Sequence, residues 1–164
     1  MIAQNDNKNT GCDNNKRKIL FVCTGNTCRS PMAEYYFNSE AGNRESELII
    51  AESCGLAAEN GSYMSANAKK ILALNNIVKN TEDIHFKSKQ INGKIVKEAE
   101  IIYGITVHHE ARLKEEFPEF KDKILSMPEN IGDPYGGSLE VYEKCFESIK
   151  KSVDIILKSL LPES

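Results

Sequence analysis

A strand, a glycine-containing loop and a helix start follow one another without interruption near the amino terminus. Residues 19–22 form a continuous apolar run of strand length, and Ser30 followed by Pro31 is typical of a helix start, where serine can cap backbone amides. Five residues separate Cys23 from Arg29 in the loop between them. Such a loop presents backbone N–H groups and the positive end of a helix dipole to an anion. The stretch therefore predicts a phosphate site at the carboxyl end of a buried strand.

Strand-like and helix-like segments alternate along the rest of the chain. Further strands are predicted at residues 48–51, 101–105 and 123–125. Helices are predicted at residues 30–42, 65–75, 94–99, 109–117 and 139–160, with a loop and one short helical turn at 75–90. The alternation indicates an α/β fold, a four-stranded parallel sheet flanked by helices on both faces, with a ligand site where the strands end. Residues 126–138 also follow a strand, so this second loop should lie beside the first.

Length and composition are those of an ordinary globular domain. The chain has 164 residues, and we expect residues 17–164 to form one domain after a polar, asparagine-rich and disordered tail at 1–16. With 21 basic and 24 acidic residues and no basic stripe, neither nucleic acid nor a membrane surface is the expected partner. Five cysteines, an odd number, without a signal-like or membrane-spanning apolar segment, favour a soluble protein of the cytoplasm.

The loop residues suit phosphate chemistry. Gly25 and Asn26 tolerate the positive φ that turns backbone amides inward, and such a nest should lower the pKa of a thiol at its centre. Cys23 is therefore the candidate nucleophile and Arg29 a bidentate clamp on phosphate oxygens. Ser30 could donate a hydrogen bond to the Cys23 sulfur.

Phosphoryl transfer also needs an acid that protonates the leaving group. Asp133, followed by Pro134 in the glycine-rich second loop, is the candidate, and the same carboxylate would later act as base for the hydrolytic water. Tyr135 offers an aromatic wall to a planar leaving group.

Two motifs and a shorter element together resemble the low-molecular-weight protein tyrosine phosphatases. The motifs are Val22-Cys23-Thr24-Gly25-Asn26-Thr27-Cys28-Arg29-Ser30-Pro31-Met32-Ala33-Glu34 and Asp133-Pro134-Tyr135-Gly136-Gly137, with Ser53-Cys54-Gly55 as the shorter element. The resemblance covers about residues 18–160 and implies that Cys23 becomes phosphorylated, Arg29 binds phosphate and Asp133 is acid and base. It further implies that Thr24, Gly25, Asn26, Thr27, Cys28, Ser30 and Tyr135 surround the phosphate and substrate, and that Ser53 supports Asn26. No metal or other cofactor is implied, and the expected partners are a phosphorylated protein and phosphate or another oxyanion.

Thr27 bears on the substrate. An aliphatic residue at this position would pack against a phenyl ring, whereas a threonine suits a phosphoguanidinium, and the loop is similar to that of the bacterial protein arginine phosphatases. Phosphoarginine is therefore favoured over phosphotyrosine. Tyr135, where that branch tends to carry phenylalanine, argues the other way, while Cys54 in place of alanine, a short loop at 126–132 and the extra tail are further departures.

The remaining cysteines and histidines receive minor roles. Cys28 could form a protective disulfide with an oxidised Cys23 or remain a buried thiol without redox function. Structural or incidental roles are expected for Cys12, Cys54 (after the second strand) and Cys145 (on the buried face of the last helix), and surface or loop positions for His85, His108 and His109. Two other functions share the loop: a thiol-linked arsenate reductase, which would need a mobile relay cysteine, and a phosphate-binding module without catalysis.

Overall fold

The computed structural model describes residues 16–44, 46 and 48–161. Within these residues a parallel sheet is formed by four strands, which are β1 (Arg17–Cys23), β2 (Ile49–Gly55), β3 (Ile101–Gly104) and β4 (Ile124–Ser126). Their order across the sheet is β2-β1-β3-β4. The predicted parallel sheet is confirmed. The expected disordered tail lies, except for Lys16, outside the described residues.

Five α-helices of the described chain connect or follow the strands. They are α1 (Arg29–Asn43), α2 (Ala66–Leu74), α3 (Gly93–Glu98), α4 (Val107–Glu116) and α5 (Leu139–Leu160). Four of them begin after a capping residue whose side chain accepts the backbone N–H three residues further along the chain. These capping residues are Ser65, Asn92, Thr106 and Ser138. Single 3-10 segments occur at Thr81–Asp83, the predicted helical turn, and at Pro118–Lys123, where none was predicted.

Alternate residues of β1 face two separate hydrophobic cores. Ile19 and Phe21 pack with the buried faces of α1, α2 and α5, whereas Leu20 and Val22 pack with residues of α3 and α4. Burial of a side chain as large as Phe21 contributes about 1.5–3 kcal/mol. The long apolar stripe of α5 lies on the first core as predicted. Helices therefore cover both faces of the sheet.

Two predicted boundaries were wrong for physical reasons. Strand β2 continues to Gly55 instead of ending at Ala51, so Cys54 lies inside the strand and pairs with Val22. The apolar pattern stops at Glu52 because β2 is at the sheet edge, where the Glu52 carboxylate lies 3.5 Å from the Lys18 ammonium. Helix α4 begins at Val107 because Thr106 caps it.

The loops that follow β1, β3 and β4 emerge at one edge of the sheet. Backbone hydrogen bonds tie these strand ends together, with the Ile105 N–H donating to the Val22 carbonyl at 2.9 Å and the Met127 N–H donating to the Gly104 carbonyl at 3.0 Å. Residues 23–29 and 127–138 are thereby placed side by side. None of the helices in the described part of the chain has the length and hydropathy needed to span a membrane.

Candidate active site

Residues 23–29, named here the phosphate loop, curl between β1 and α1 with their carbonyl groups turned outward. The carbonyls of Cys23 and Thr24 accept the N–H groups of residues 56 and 57, and the Thr27 carbonyl accepts that of residue 65, each at 2.9 Å. Asn26, and not Gly25, adopts the positive φ, at 56°. With these three carbonyls directed away and the Asn26 N–H donating inward to Cys23 Sγ at 3.3 Å, the loop has the arrangement that an anion cradle requires.

Asn26 is the side chain that holds this loop in shape. Its Oδ1 accepts the Lys89 backbone N–H at 2.9 Å, which identifies Nδ2 as the donor to Ser30 Oγ at 2.8 Å and to Ser53 Oγ at 3.0 Å. Ser53 in turn donates to Glu34 Oε2 at 2.6 Å. The predicted contact between Ser53 and the loop asparagine is therefore confirmed, and the network ends at the half-buried carboxyl group of Glu34.

Cys23 lies at the bottom of the loop and is 3% exposed. Its Sγ is 2.8 Å from Ser30 Oγ, and the Asn26 N–H donates to it at 3.3 Å. Ser30 Oγ accepts from Asn26, so its own proton is directed to an acceptor: the Cys23 sulfur at 2.8 Å is closer than the Cys54 carbonyl at 3.4 Å. The predicted Ser30–sulfur contact is confirmed, but Ser30 does not cap the helix, since Cys28 occupies the capping position without a side-chain bond.

The electrostatic environment of Cys23 differs from the one expected. Burial raises the pKa of the Cys23 thiol, and the hydrogen bonds from Ser30 and Asn26 and the charge of Arg29 oppose that shift without cancelling it. The predicted lowering of the pKa was therefore wrong, because removal of the sulfur from water outweighs its stabilising contacts.

Arg29 joins the phosphate loop to the second loop. Its guanidinium is buried, donates to the Ile131 carbonyl at 3.1 Å and lies 3.8 Å from Asp133 Oδ2. The Asp133 side chain is 57% exposed, and its Oδ1 accepts the Tyr135 N–H at 3.1 Å. The two loops therefore meet as predicted, with Asp133 at the open end of the site.

One pocket collects nearly all the predicted residues. It is lined by Cys23, Thr24, Gly25, Asn26, Thr27, Cys28, Arg29, Asp133 and Tyr135. Ser30 and Ser53 lie behind it and contact Asn26. In the described part of the chain, no group of three or more histidine, cysteine or acidic side chains is arranged to hold a metal ion.

Cys28, Cys54 and Cys145, the other cysteines of the described chain, are buried, and Cys12 lies outside the described residues. Cys28 Sγ lies 3.2 Å from the Tyr142 hydroxyl and donates to Ser65 Oγ at 3.4 Å, so it contacts α5 and the start of α2. Cys145 donates to the Gly132 carbonyl at 3.6 Å, and burial raises its pKa to about 12. Cys54 is fully buried in β2.

His109 was wrongly expected to be an ordinary surface or loop residue. Its side chain is 6% exposed, and its Nε2 is 3.0 Å from Thr24 Oγ1 in the phosphate loop. Burial, followed by the nearby charge of Arg29, lowers the pKa of His109 to about 4. The available signal was its position three residues after the capping Thr106, just beyond β3, which is the neighbour of β1.

The geometry agrees with a comparison to known families. A family model described as low molecular weight phosphotyrosine protein phosphatase matches residues 18–164. The chain belongs to this family. As a member of the low-molecular-weight phosphatases it is a protein phosphatase with an α/β fold.

Similar proteins come from two branches of the family. A protein-arginine-phosphatase from Geobacillus stearothermophilus is 33% identical over 153 residues, which are 89% of this chain and 97% of that relative. The crystal structure of a low molecular weight protein tyrosine phosphatase from T. tengcongensis is 31% identical, with a TM-score of 0.80 over 88% of this chain and 99% of that one. A mutant of YwlE arginine phosphatase with a phosphorylated active-site serine is 27% identical, with a TM-score of 0.79 over 89% and 97% of the two chains.

Proposed function

We propose that this low-molecular-weight phosphatase hydrolyses phosphorylated side chains of proteins through a phosphocysteine at Cys23, with Asp133 as acid and base. The observation that carries the proposal is the meeting of Cys23, Arg29 and Asp133 in one pocket, where the guanidinium lies 3.8 Å from the Asp133 carboxylate. The nucleophile lies at the bottom of this pocket and the acid at its mouth. This arrangement supports in-line displacement of a phosphoryl group bound between them.

In the first step the Cys23 sulfur attacks phosphorus as the thiolate, after the thiol has passed its proton to an oxygen of the bound phosphoryl group. The P–S bond forms while the bond from phosphorus to the leaving oxygen or nitrogen breaks, and Asp133 gives its proton to that atom. The amides of the phosphate loop and the Arg29 guanidinium stabilise the charge on the three equatorial oxygens.

In the second step water attacks the phosphocysteine. Asp133, now a carboxylate, takes a proton from the water, and the P–S bond breaks to return the Cys23 thiolate and inorganic phosphate. The Ser30 hydroxyl, 2.8 Å from the sulfur, stabilises the departing thiolate as it did the attacking one.

The favoured substrate is phosphoarginine. Thr27 lines the pocket with a short polar side chain, and the first relative described above is named a protein-arginine-phosphatase. Phosphotyrosine is the alternative, which the exposed aromatic ring of Tyr135 at the pocket mouth favours.

The kcat/KM values for phosphoarginine and phosphotyrosine peptides, in the unmodified protein and in Thr27→Ile, test this assignment. We expect a preference for phosphoarginine that Thr27→Ile reduces by about tenfold or more, roughly the effect of one lost polar contact to a charged group. An unchanged preference would contradict the role of Thr27. Activity towards both peptides should disappear in Cys23→Ser, and its survival would contradict the phosphocysteine route.

The same proposal covers the domain and its setting. Residues 17–164 form a single phosphatase domain, which the family match over residues 18–164 supports. The four described cysteines are free thiols, which supports a cytoplasmic location. The expected partners are a phosphorylated protein and an oxyanion, and the net charge of −3 favours neither nucleic acid nor a membrane as a further partner.

Among the residues that the structure describes, the position of Cys145 argues against an arsenate reductase. Such an enzyme relays a disulfide outward through a mobile cysteine. Cys145 is instead buried on α5 and bonded to the Gly132 carbonyl. Arsenate-dependent oxidation of thioredoxin by the protein would support the reductase.

A further inference from the structure

His109 is the buried histidine that contacts the phosphate loop from the neighbouring strand. It lies in the first turn of α4, which approaches the end of β3 so closely that a Cβ on Gly104 would lie 2.5 Å from the Glu110 backbone nitrogen. This close approach places the imidazole against Thr24. Thr24 is exposed and lines the pocket, so the buried histidine reaches the site through one side chain.

The hydrogen bonds around His109 determine its tautomer. Nδ1 accepts the Thr106 backbone N–H at 3.1 Å, and the Thr106 hydroxyl lies 2.9 Å from the same nitrogen. A neutral imidazole that accepts at Nδ1 carries its proton on Nε2. The pKa of about 4 keeps His109 neutral at pH 7, so Nε2–H donates to Thr24 Oγ1 at 3.0 Å.

The hydrogen bond from His109 fixes the direction in which the Thr24 hydroxyl can donate. Because one lone pair of Oγ1 accepts from His109, the hydroxyl proton must point away from the imidazole. Of the charged groups that line the pocket with Thr24, the Arg29 guanidinium only donates, whereas the Asp133 carboxylate and the oxygens of a bound phosphoryl group accept. The hydroxyl is therefore suited to donate to the phosphoryl group.

We infer that His109 is a positioning residue that orients the Thr24 hydroxyl as a side-chain donor to the bound phosphoryl group, in addition to the loop amides and Arg29. The inference rests on the proposed function of the same pocket. It makes a specific distinction between the two nitrogens of His109. Nδ1 serves the start of α4, and Nε2 serves the phosphate site.

Variants that replace the hydrogen-bonding group of only one of the two His109 nitrogens separate these two roles. An asparagine at position 109 can place an acceptor near Nδ1 but is too short to reach Thr24, whereas a glutamine can place its amide N–H near Nε2. We expect the affinity for inorganic phosphate, measured by titration calorimetry at pH 7, to fall about tenfold or more in Thr24→Val, as for one lost hydrogen bond to a charged group. His109→Asn should weaken binding about threefold to tenfold, and His109→Gln less than His109→Asn.

A double-mutant cycle gives the decisive comparison. His109→Asn should cause no further loss of phosphate affinity in the Thr24→Val background, and Thr24→Ser should recover most of the affinity lost in Thr24→Val. The inference would be overturned if the losses of phosphate affinity in His109→Asn and Thr24→Val were additive. It would also be overturned if His109→Asn and His109→Gln lost equal phosphate affinity in proportion to their loss of thermal stability, because that result shows a structural role only. Phosphate affinity unchanged in Thr24→Val would overturn it as well.

A spectroscopic measurement avoids any loss of folding in the variants. Long-range ¹H–¹⁵N NMR spectra of the unmodified protein at pH 7 should show His109 protonated at Nε2, and protonation at Nδ1 would overturn the inference. Failure of the proposed function is distinguishable, because a protein that binds phosphate but hydrolyses neither phosphopeptide would contradict catalysis while leaving the phosphate measurements interpretable.

Discussion

Glu34 holds a half-buried carboxyl group at the end of the hydrogen-bond network behind the phosphate loop, and its ionisation should make the stability of the fold depend on pH. Burial raises its pKa to about 7, while the hydrogen bond from Ser53 and the charge of Lys89 lower it and the charge of Glu52 raises it further. The ordinary value is 4.5. The native state therefore keeps a proton that the unfolded chain releases between about pH 4.5 and pH 7.

The size and sign of the effect follow from linkage. The difference of 7 − 4.5, about 2.5 pH units at about 1.4 kcal/mol each, corresponds to about 3.5 kcal/mol. Because the native state binds more protons in this range, the free energy of unfolding falls as the pH rises from 4.5 to 7. The loss is complete above pH 7, where both states are ionised.

Replacement of Glu34 by glutamine should remove this loss. The amide oxygen of Glu34→Gln can still accept from Ser53 but carries no charge. Urea unfolding gives the free energy of unfolding of the variant and of the unmodified protein at pH 5 and at pH 8. The variant's value minus that of the unmodified protein should be about 2 kcal/mol higher at pH 8 than at pH 5. The exposed Glu115→Gln, a matched control on α4, should show no such difference. An equal effect of Glu34→Gln at both pH values would refute the reasoning.

Three further predictions concern the loop and its acid. Ser30→Ala removes a hydrogen bond that lowers the pKa of Cys23, so the pH midpoint for alkylation by iodoacetamide should rise by about 1 unit, and a fall would contradict the stated contact. Gly55→Ala would overlap a backbone carbonyl of the phosphate loop and should lower Tm by several degrees, whereas Gly93→Ala, with open space around it, should not. Asp133→Ala should slow turnover about 100-fold or more with vanadate affinity nearly unchanged, and loss of vanadate binding would contradict its role as acid.

The order of the elements could be predicted from the sequence because each buried strand is a local apolar run. The runs at residues 19–22 and 101–105 locate β1 and β3, which are central strands buried on both faces. The prediction ended edge strand β2 too early, at Ala51, because the charged Glu52, beside Lys18 at the sheet edge, interrupts the apolar pattern. Local pattern fails where one strand face meets solvent.

The candidate active site could likewise be predicted only in part from the sequence. Asn26 with Ser53, and Arg29 with Asp133, were anticipated because motif residues and the shared sheet edge place them together. The position of His109 beyond β3 was a signal in the sequence, but its contact with Thr24 could not be predicted from local pattern because the two residues are 85 positions apart. The pKa of Cys23 likewise depends on the depth of burial, which the sequence of the loop does not contain.

The phosphocysteine is the central claim, and mass spectrometry of the enzyme quenched in acid during turnover tests it most directly. With an aryl phosphate substrate and the Asp133→Ala variant, which should hydrolyse the intermediate slowly, we expect one phosphoryl group on the peptide that contains Cys23. Fragmentation should assign it to the Cys23 sulfur. A phosphoryl group on another residue, or turnover by Asp133→Ala that leaves the peptide unmodified at every quench time, would contradict the account.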